Sequence, residues 1–189
     1  MKILSTICGL LALGATPSLA QEWNGFYVGL GASSVDGGLE IPSLPFDYSG
    51  TDGAALSVYS GYNYQMPSNL VIGAELSYGD VDTMNMPLHP FHADGLLQAR
   101  ARIGYAMGNV MPYAAIGAAR SKIGIVAGPT TNETGVSLGL GAEVRVGENV
   151  NLRAEYTNVR FNGVGTGVWI GPGVDYNLEM LTVGLGFQF

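Results

Sequence analysis

The chain has little of what most enzyme and metal chemistry requires: one cysteine, two histidines and 12% charged residues in 189. Cys8, the single cysteine, lies in an N-terminal stretch that we predict to be removed, so we expect no disulfide or thiol chemistry in the mature chain. No apolar run after this stretch reaches the roughly 20 residues that a membrane-spanning helix needs. The mean hydropathy is nevertheless positive, which indicates apolar residues spread over many short segments.

Residues 1–20 have the three parts of a secretory signal peptide. Lys2 supplies the positive charge, Ile3 to Leu13 is mainly apolar, and Ser18-Leu19-Ala20 has small residues at the two positions that decide cleavage. We therefore predict cleavage after Ala20 and a mature domain over residues 21–189. A retained membrane anchor is the alternative, but the stretch is short and is interrupted by glycine and proline.

Basic residues are scarce, and the formal net charge is −7. The predicted cleavage removes Lys2 and no acidic residue, which makes the mature chain more acidic and leaves Lys122 as its only lysine. Nucleic-acid binding requires clustered Lys and Arg that neutralise phosphates. We therefore expect no nucleic-acid partner.

Period-two alternation runs through the mature sequence. Eight segments of up to about ten residues place apolar side chains on one face and glycine, polar or charged side chains on the other. Ten residues at about 3.3 Å each, tilted about 40°, span roughly 25 Å, the height of the apolar band of a bacterial outer-membrane barrel. The pattern predicts an all-β fold, an eight-stranded antiparallel transmembrane β-barrel.

The connections between these segments alternate in length, three of them short and four long. The short ones lie around 66–69, 107–110 and 147–149, and the long ones at about 35–53, 80–94, 121–134 and 158–177. Short periplasmic turns and long extracellular loops produce this asymmetry in outer-membrane barrels. An even number of strands then places both chain termini on the periplasmic side.

Aromatic residues of the apolar face are expected at the two membrane interfaces, where such barrels carry aromatic girdles. Tyr78 and Tyr156 are predicted at the outer ends of their strands. The predicted periplasmic girdle comprises Phe26, Tyr62, Tyr64, Tyr105, Phe187 and Phe189. The alternative, the aromatic core of a soluble barrel, would not sort these residues to the rims.

Most mid-strand charges fall on the opposite, inward face: Glu75, Arg100, Arg102, Glu143, Arg145, Arg153 and Glu155. An arginine facing lipid at mid-depth would cost about 2–4 kcal/mol, whereas an eight-stranded lumen is filled by side chains that can pair with it. Hairpin register brings Glu75 near Arg100 and Arg102. The turn at 147–149 brings Glu143 and Arg145 near Arg153 and Glu155.

We interpret these charges as a buried ion network that plugs the barrel. The alternative is a gated pore in which the ion pairs exchange partners. Glycines on the same inward face make room for Tyr27, Tyr59 and Tyr113, which is what a crowded lumen requires.

Two further patterns are similar to chemical sites. The segment Gly135-Val136-Ser137-Leu138-Gly139 matches G-x-S-x-G, but it lies in a period-two strand and not at the strand-to-helix turn of a nucleophile elbow. His89 and His92 lie in a long loop with nearby aspartates, a set that could bind a transition metal. Two incidental histidines in a solvated loop explain the same pattern, so we predict no catalytic, metal or cofactor site.

The segment Trp23-Asn24-Gly25-Phe26-Tyr27-Val28-Gly29 resembles the opening strand of the small outer-membrane β-barrel family of opacity-type proteins and α-proteobacterial surface antigens, some of which carry "porin" names. Arg100–Tyr105, followed by Pro112-Tyr113 and Gly117, resembles the central hairpin of that family. The C-terminal strand also resembles that of the family, through Leu181, Val183, Leu185, Phe187 and Phe189.

The resemblance implies an outer-membrane protein of a Gram-negative bacterium. It implies periplasmic chaperones and the barrel-assembly machinery as partners during biogenesis, with the C-terminal strand as the assembly signal. Outer-membrane lipid and lipopolysaccharide would surround the folded barrel. The expected function is non-enzymatic: envelope structure and surface display through the extracellular loops. A small passive channel and a lipid-modifying enzyme are the alternatives, and the loops identify no host surface ligand.

Overall fold

The computed structural model describes residues 22–40, 47–82, 91–125, 130–162 and 175–189. Eight antiparallel strands in these ranges each pair with their sequence neighbours, and the last pairs with the first to close a barrel. They are β1 (Gly25–Glu40), β2 (Asp47–Gln65), β3 (Leu70–Asp82), β4 (Phe91–Tyr105), β5 (Val110–Ile125), β6 (Thr130–Arg145), β7 (Val150–Phe161) and β8 (Asp175–Gln188). The predicted eight-stranded antiparallel barrel is confirmed.

No helix in the described part of the chain is long and apolar enough to cross a membrane.

The short connections lie where the sequence predicted them. In the turn between β2 and β3, the amide of Asn69 donates a hydrogen bond to the carbonyl of Met66 at 2.9 Å. Asn69 and Gly108 adopt positive φ angles of 66°, a region that glycine and asparagine enter more easily than other residues. These tight turns lie at the same end of the barrel as the start of β1 and the end of β8, which is the end predicted to face the periplasm.

The strands are much longer than predicted, 12 to 19 residues each. Most of the segment 35–53, predicted as a loop, belongs to β1 and β2, whose pairing continues to Glu40 and Asp47. The other three long connections are also partly strand, and their central parts lie outside the described residues. The bounds predicted for the four long loops were therefore wrong, because the strands extend into these segments.

The cause of this error is an inversion of the apolar pattern along each strand. In the lower part of β1 the outward side chains are apolar, with Leu30 65% exposed. Above Ala32 the outward residues are Ser34 and Asp36, and the inward Val35 is fully buried. The point at which outward residues stop being apolar is therefore where the outer face passes from lipid to water. It is not where the strand ends.

The same inversion occurs around the barrel at matching register. On β3 the outward residue after Tyr78 is Asp80, and on β7 the outward residue after Tyr156 is Asn158. Since lipid selects apolar side chains and water selects polar ones, the inversion marks the outer boundary of the membrane. Tyr78 and Tyr156 lie at this boundary within their strands, not at the outer strand ends where they were expected.

The interior has three layers. At the periplasmic end, an apolar cluster consists of Trp23, Val71, Ala106, Met111 and Tyr113. At the outer end, a larger apolar cluster consists of Val35, Ala55, Val81, Leu96, Ala119, Ile123, Val159, Phe161, Tyr176, Leu178 and Met180. The polar and charged side chains fill the middle. The part of the barrel above the membrane is thus built like a soluble barrel, with an apolar interior.

The inversion predicts opposite responses to the same substitution at two outward positions of β1. We expect Leu30→Arg to lower the free energy of unfolding by about 2–4 kcal/mol, because it places a charge against lipid, and Ser34→Arg to change it by about 0–1 kcal/mol. The measurement is urea unfolding of the refolded variants in lipid vesicles. Equal destabilisation at both positions would contradict the placement of the boundary.

Candidate functional site

Six charged side chains meet at one level of the lumen. Period-two geometry places them there because all occupy inward positions of their strands. They are Glu75 on β3, Arg100 and Arg102 on β4, Glu143 on β6, and Arg153 and Glu155 on β7. All six are at most 6% exposed. Three arginines face three glutamates, so the formal charges of this lumen network cancel.

Glu75 is the centre of the lumen network because it forms ion pairs with all three arginines. It pairs with Arg100, with Arg102 at 3.3 Å between Oε2 and Nη1, and with Arg153 at 2.7 Å between Oε2 and Nη2. Strand register explains the first contact, since Glu75 lies directly opposite Arg100 in the β3–β4 pairing. Arg153 reaches Glu75 from β7 across the lumen.

The other two glutamates extend the lumen network on either side. Glu143 Oε1 lies 2.6 Å from Nη2 of Arg102 and 2.7 Å from Nη2 of Arg153. Glu155 Oε1 lies 2.5 Å from Nη1 of Arg100. A closed ring is thus formed by Glu75, Arg102, Glu143 and Arg153. Arg100 is attached to this ring at Glu75, and Glu155 is attached to Arg100. Interlocked pairs of this kind leave few charged atoms without a partner, which buried charges require.

Tyrosines seal the network against the barrel wall. The hydroxyl of Tyr27 donates to Glu75 Oε2 at 2.9 Å and accepts from Arg102 Nη1 at 2.6 Å. The guanidinium of Arg153 lies 3.8 Å from the ring centre of Tyr59, and that of Arg102 lies 4.0 Å from the ring centre of Tyr113. Such cation–π contacts stabilise desolvated guanidinium groups.

Inward glycines give these rings their space, as the sequence predicted. A Cβ atom at Gly29 would lie 2.2 Å from the ring of Tyr59, and one at Gly61 would lie 2.4 Å from the hydroxyl of Tyr27. Both distances are far below van der Waals contact. Any larger residue at these positions would displace a tyrosine from the network.

Arg145 departs from the prediction that placed it in the same network. Among the described residues its guanidinium forms no ion pair. It donates to Oε1 of Gln188 at 2.5 Å and lies 4.6 Å from the ring of Trp23. The register explains this, because Arg145 lies opposite Asn151, one inward position nearer the periplasm than the Glu143–Arg153 pair.

Trp23 closes the periplasmic mouth, a role that its sequence context did not reveal. It precedes β1, is fully buried, and donates from Nε1 to the carbonyl of Gly108 at 3.2 Å. Its backbone amide also donates to Oε1 of Gln65 at 2.7 Å. In the sequence Trp23 belongs only to the segment that resembles the family's opening strand, and it lies outside any period-two pattern.

A small cavity remains above the lumen network. Its volume is about 40 Å³, and Ser57, Ser77, Gln98, Thr157 and Thr182 contribute polar atoms to its lining. At 10–15 Å³ for each water, this space holds about three water molecules. Its lining also includes Arg100, Arg153 and Glu155 of the lumen network and Val81, Leu96 and Met180 of the outer apolar cluster, so the cavity lies between these two layers.

The patterns that resembled chemical sites take other roles or lie outside the described residues. Ser137 is fully buried in β6 and its hydroxyl donates to Oε1 of Gln98 at 2.6 Å. His89 lies outside the described residues, and the side chain of His92 is also outside the description. Within the described part of the chain, no three His, Cys, Asp or Glu side chains are grouped as a metal site would require.

The C-terminal strand presents its apolar side chains to the lipid. Five of its apolar side chains are exposed: Leu181, Val183, Leu185, Phe187 and Phe189. The amide of Phe189 donates a hydrogen bond to the carbonyl of Phe26 at 2.8 Å. The strand therefore closes the barrel on β1. Its use as an assembly signal stays a prediction.

The six residues of the predicted periplasmic girdle are exposed on the outer surface, near the end that carries the short turns. Phe26 and Tyr62 are register partners, and their ring centres lie 4.8 Å apart, edge to face. Phe187 and Phe189 pair in the same way at 5.2 Å. Their action as an interfacial anchor stays a prediction.

The lipid-facing belt, closed strand order and filled lumen define a small outer-membrane β-barrel. Residues 6–189 match the model of the family described as Outer membrane protein beta-barrel domain. The chain belongs to this family. It is a protein of the Gram-negative outer membrane.

Two relatives and one solved structure illustrate the similarity. The 31 kDa outer-membrane immunogenic protein of Brucella melitensis biotype 1 is 26% identical over 174 residues, which cover 75% of this chain and 72% of the relative. The protein of the same name from Brucella suis biovar 1 gives the same values. The crystal structure of Neisserial surface protein A has a TM-score of 0.62 at 19% identity and covers 87% of this chain and 97% of its own.

Removing the central carboxylate should destabilise the barrel strongly. Glu75→Gln leaves three buried arginines facing two glutamates, and an uncompensated buried charge costs about 3–5 kcal/mol. Glu148→Gln, in an exposed turn, is the matched control and should change stability by less than about 0.5 kcal/mol. Urea unfolding in vesicles measures both. Equal unfolding free energies for the two variants would rule out a central role for Glu75.

Proposed function

We propose that this protein is a non-enzymatic structural barrel of the outer membrane whose lumen is closed and whose outer strands and loops are displayed at the cell surface. The observation that carries the proposal is the lumen network of three arginines and three glutamates, all buried. Eight strands enclose an interior only wide enough for side chains, and here those side chains are locked to one another.

Closure of the lumen at three levels argues against a channel. Trp23 and its apolar neighbours fill the periplasmic end, the charges fill the middle, and the outer apolar cluster fills the rest. A passive pore would require several of these layers to move together. Exchange of partners within the lumen network alone would leave both apolar layers in place.

Surface display is supported by the parts of the strands that continue above the membrane boundary. Above the membrane boundary the barrel continues with polar residues outside and an apolar core inside, so it holds the connecting segments at a distance from the lipid. The name of the Brucella relatives, an immunogenic outer-membrane protein, fits exposure of such a surface. That property of the relatives is carried to this chain as part of the proposal.

Absence of catalysis is the remaining part of the proposal. Lipid hydrolysis by a Ser–His pair requires an accessible serine beside a histidine. The only serine in a nucleophile-like sequence motif, Ser137, faces the lumen and donates its hydroxyl proton to Gln98. This geometry supports a packing role for Ser137.

Single-channel recording in a planar bilayer tests the proposal. We expect no discrete conductance steps from the refolded protein, because three successive layers of side chains occupy the lumen. Folding is verified beforehand by heat-dependent gel mobility, and an open porin inserted in the same bilayer serves as the positive control.

Reproducible unitary steps from folded protein would contradict the closed lumen and favour a channel. In that case Glu75→Gln would be recorded next, since a change in step size would locate the path at the lumen network. Release of free fatty acid from lipopolysaccharide or phospholipid by the folded protein would contradict the non-enzymatic part.

A further inference from the structure

The outer wall of the barrel has a concave region on one side. A groove of about 450 Å³ crosses β4 to β7, and each of these strands contributes two successive outward residues to its lining: Ala101, Ile103, Ala114, Ile116, Leu138, Leu140, Tyr156 and Asn158. Small alanines on β4 and β5 lie beside larger apolar side chains, which produces the concavity. The midline of this groove lies between β5 and β6.

The aromatic girdle is interrupted on the same strands. Its six periplasmic residues lie on β1, β2 and β4 and in or directly after β8. Tyr113 is the only aromatic residue of β5 and β6, and it is buried in the lumen. Aromatic girdles occur where a barrel meets the lipid interface. The two central strands of the groove therefore lack the residues expected of a wall that faces lipid alone.

The opposite side of the barrel carries protruding apolar side chains. Leu30 of β1 and Val58 of β2 are register partners, and Leu56 is the next outward residue of β2. All three are exposed, and Leu56, at 73%, is the most exposed large apolar side chain of the described residues. These three residues form a ridge whose midline lies between β1 and β2. That midline is four strands from the midline of the groove, which is half of the circumference of an eight-stranded barrel.

The groove and the ridge lie at the same depth in the membrane. On β5 the first outward polar residue is Arg120, and Ile116 in the groove lies two outward positions below it. On β1 the first outward polar residue is Ser34, and Leu30 in the ridge also lies two outward positions below it. Four residues correspond to about 13 Å along either strand. Two copies that stand side by side in one membrane therefore present groove and ridge to each other at a common level.

The side of the barrel that carries the groove is basic above the membrane boundary. Removal of Lys2 leaves seven of the eight basic residues of the chain, and all seven lie on β4 to β7. Three of them are exposed at outward positions, namely Arg120, Lys122 and Arg160. Asp94 of β4, the register partner of Lys122, is the one outward acidic residue of these four strands in the described part of the chain. Basic residues thus outnumber acidic ones on this side.

The side that carries the ridge is acidic. No lysine or arginine occurs in β8, β1, β2 or β3. Asp80 of β3 and Glu179 of β8 are exposed at outward positions above the boundary, one on each flank of the ridge. The groove side and the ridge side therefore carry formal charge of opposite sign just above the membrane.

Faces that are half a circumference apart determine how two copies meet. Copies joined groove to ridge in the membrane plane are related by a translation without rotation, so the contact is heterologous and repeats as an open row. Because the strands run around both barrels in the same sense, β5 faces β2 of the neighbour and β6 faces β1. On the flank, β7 faces β8, which places Arg160 toward Glu179 of the next copy. Arg120 on β5 lies toward the flank that carries Asp80.

We propose that copies of this protein associate side by side in the outer membrane, with the ridge of one copy in the groove of the next, and so form rows. Inside the membrane the contact depends on close packing, which small residues permit by letting two backbones approach. Above the membrane, opposite charges on the two sides fix the orientation of the copies and disfavour the meeting of like faces. The inference does not depend on whether the lumen conducts.

Cysteine cross-linking tests the row, because the predicted mature chain contains no cysteine of its own. Ser34 on β1 and Thr134 on β6 are the first outward polar residues of their strands, and both are exposed. In a row, Thr134 of one copy faces Ser34 of the next. A short bismaleimide added to outer membranes that contain the double variant S34C/T134C should therefore give a ladder of dimers, trimers and higher multiples on a denaturing gel.

The double variant S34C/D94C is the matched control. Asp94 on β4 is exposed above the boundary and lies three strands from Ser34 in one direction around the barrel, whereas Thr134 lies three strands from it in the other direction. In a row β4 faces β3 of the neighbour and not β1, so S34C/D94C should give no ladder. The single variants S34C and T134C should remain monomeric. Folding of every variant is checked first by heat-dependent gel mobility.

Charge reversal tests the orientation of the contact. T134C copies that also carry R120E/R160E, produced together with S34C copies, should give about fivefold less cross-linked dimer, which corresponds to about 1 kcal/mol for two exposed ion pairs. S34C copies that also carry D80K/E179K should show the same loss with T134C partners. Combining the two reversed copies should restore the dimer, a result that damage to either barrel alone would not give.

Each of the other outcomes overturns the proposal. Folded S34C/T134C that stays monomeric would mean that the groove is filled by lipid alone. Dimers of T134C without a partner cysteine would mean that two groove sides meet about a twofold axis. Ladders of equal yield from S34C/T134C and S34C/D94C would reflect crowding in the membrane and not a specific contact.

Discussion

The structure depends on neutralising charge inside a narrow lumen. Glu75 contacts three arginines, and the remaining two glutamates complete a set of equal and opposite charges. No member can be removed without leaving a buried charge uncompensated, so the pairs constrain one another and the strands that carry them. The arginines reach from β4 and β7 to acceptors on β3, β6 and β7. The network therefore fastens the barrel across its interior, in addition to the hydrogen bonds along its wall.

The sequence predicts which segments are strands, how they pair and which side chains fill the lumen. It does so because apolar side chains face lipid at every second residue throughout the part of the barrel inside the membrane. Glu75 opposite Arg100 follows from that rule and from the antiparallel pairing of the consecutive strands β3 and β4, although their connection is one of the long ones. Arg145 was misplaced because its partners, Gln188 and Trp23, come from the two ends of the chain, and no local pattern reports such contacts. The strand ends were misplaced because the chain from about residue 35, including Asp36, was interpreted as a loop. Ser34 and Asp36 are strand residues facing water, with Val35 buried between them.

The inversion of the apolar pattern at the membrane boundary affects both the lumen and the outer surface of the barrel. Within the membrane the barrel has lipid outside and charges inside; above it, water lies outside and the apolar cluster around Leu178 and Phe161 lies inside. The same boundary sets the depth of Tyr78 and Tyr156. The change from lipid to water outside the barrel thus explains both the apolar upper lumen and the positions of these tyrosines.

Thiol accessibility tests the closed lumen most directly, because the predicted mature chain contains no cysteine of its own. Ser137→Cys places a thiol of similar size at a fully buried position between the lumen network and the outer apolar cluster. Ser34→Cys places one on the exposed outer wall. If the lumen is closed, a membrane-impermeant maleimide labels Ser34→Cys rapidly and leaves Ser137→Cys unlabelled from both sides of the vesicle until urea unfolds the barrel. Rapid labelling of folded Ser137→Cys from either side would contradict it.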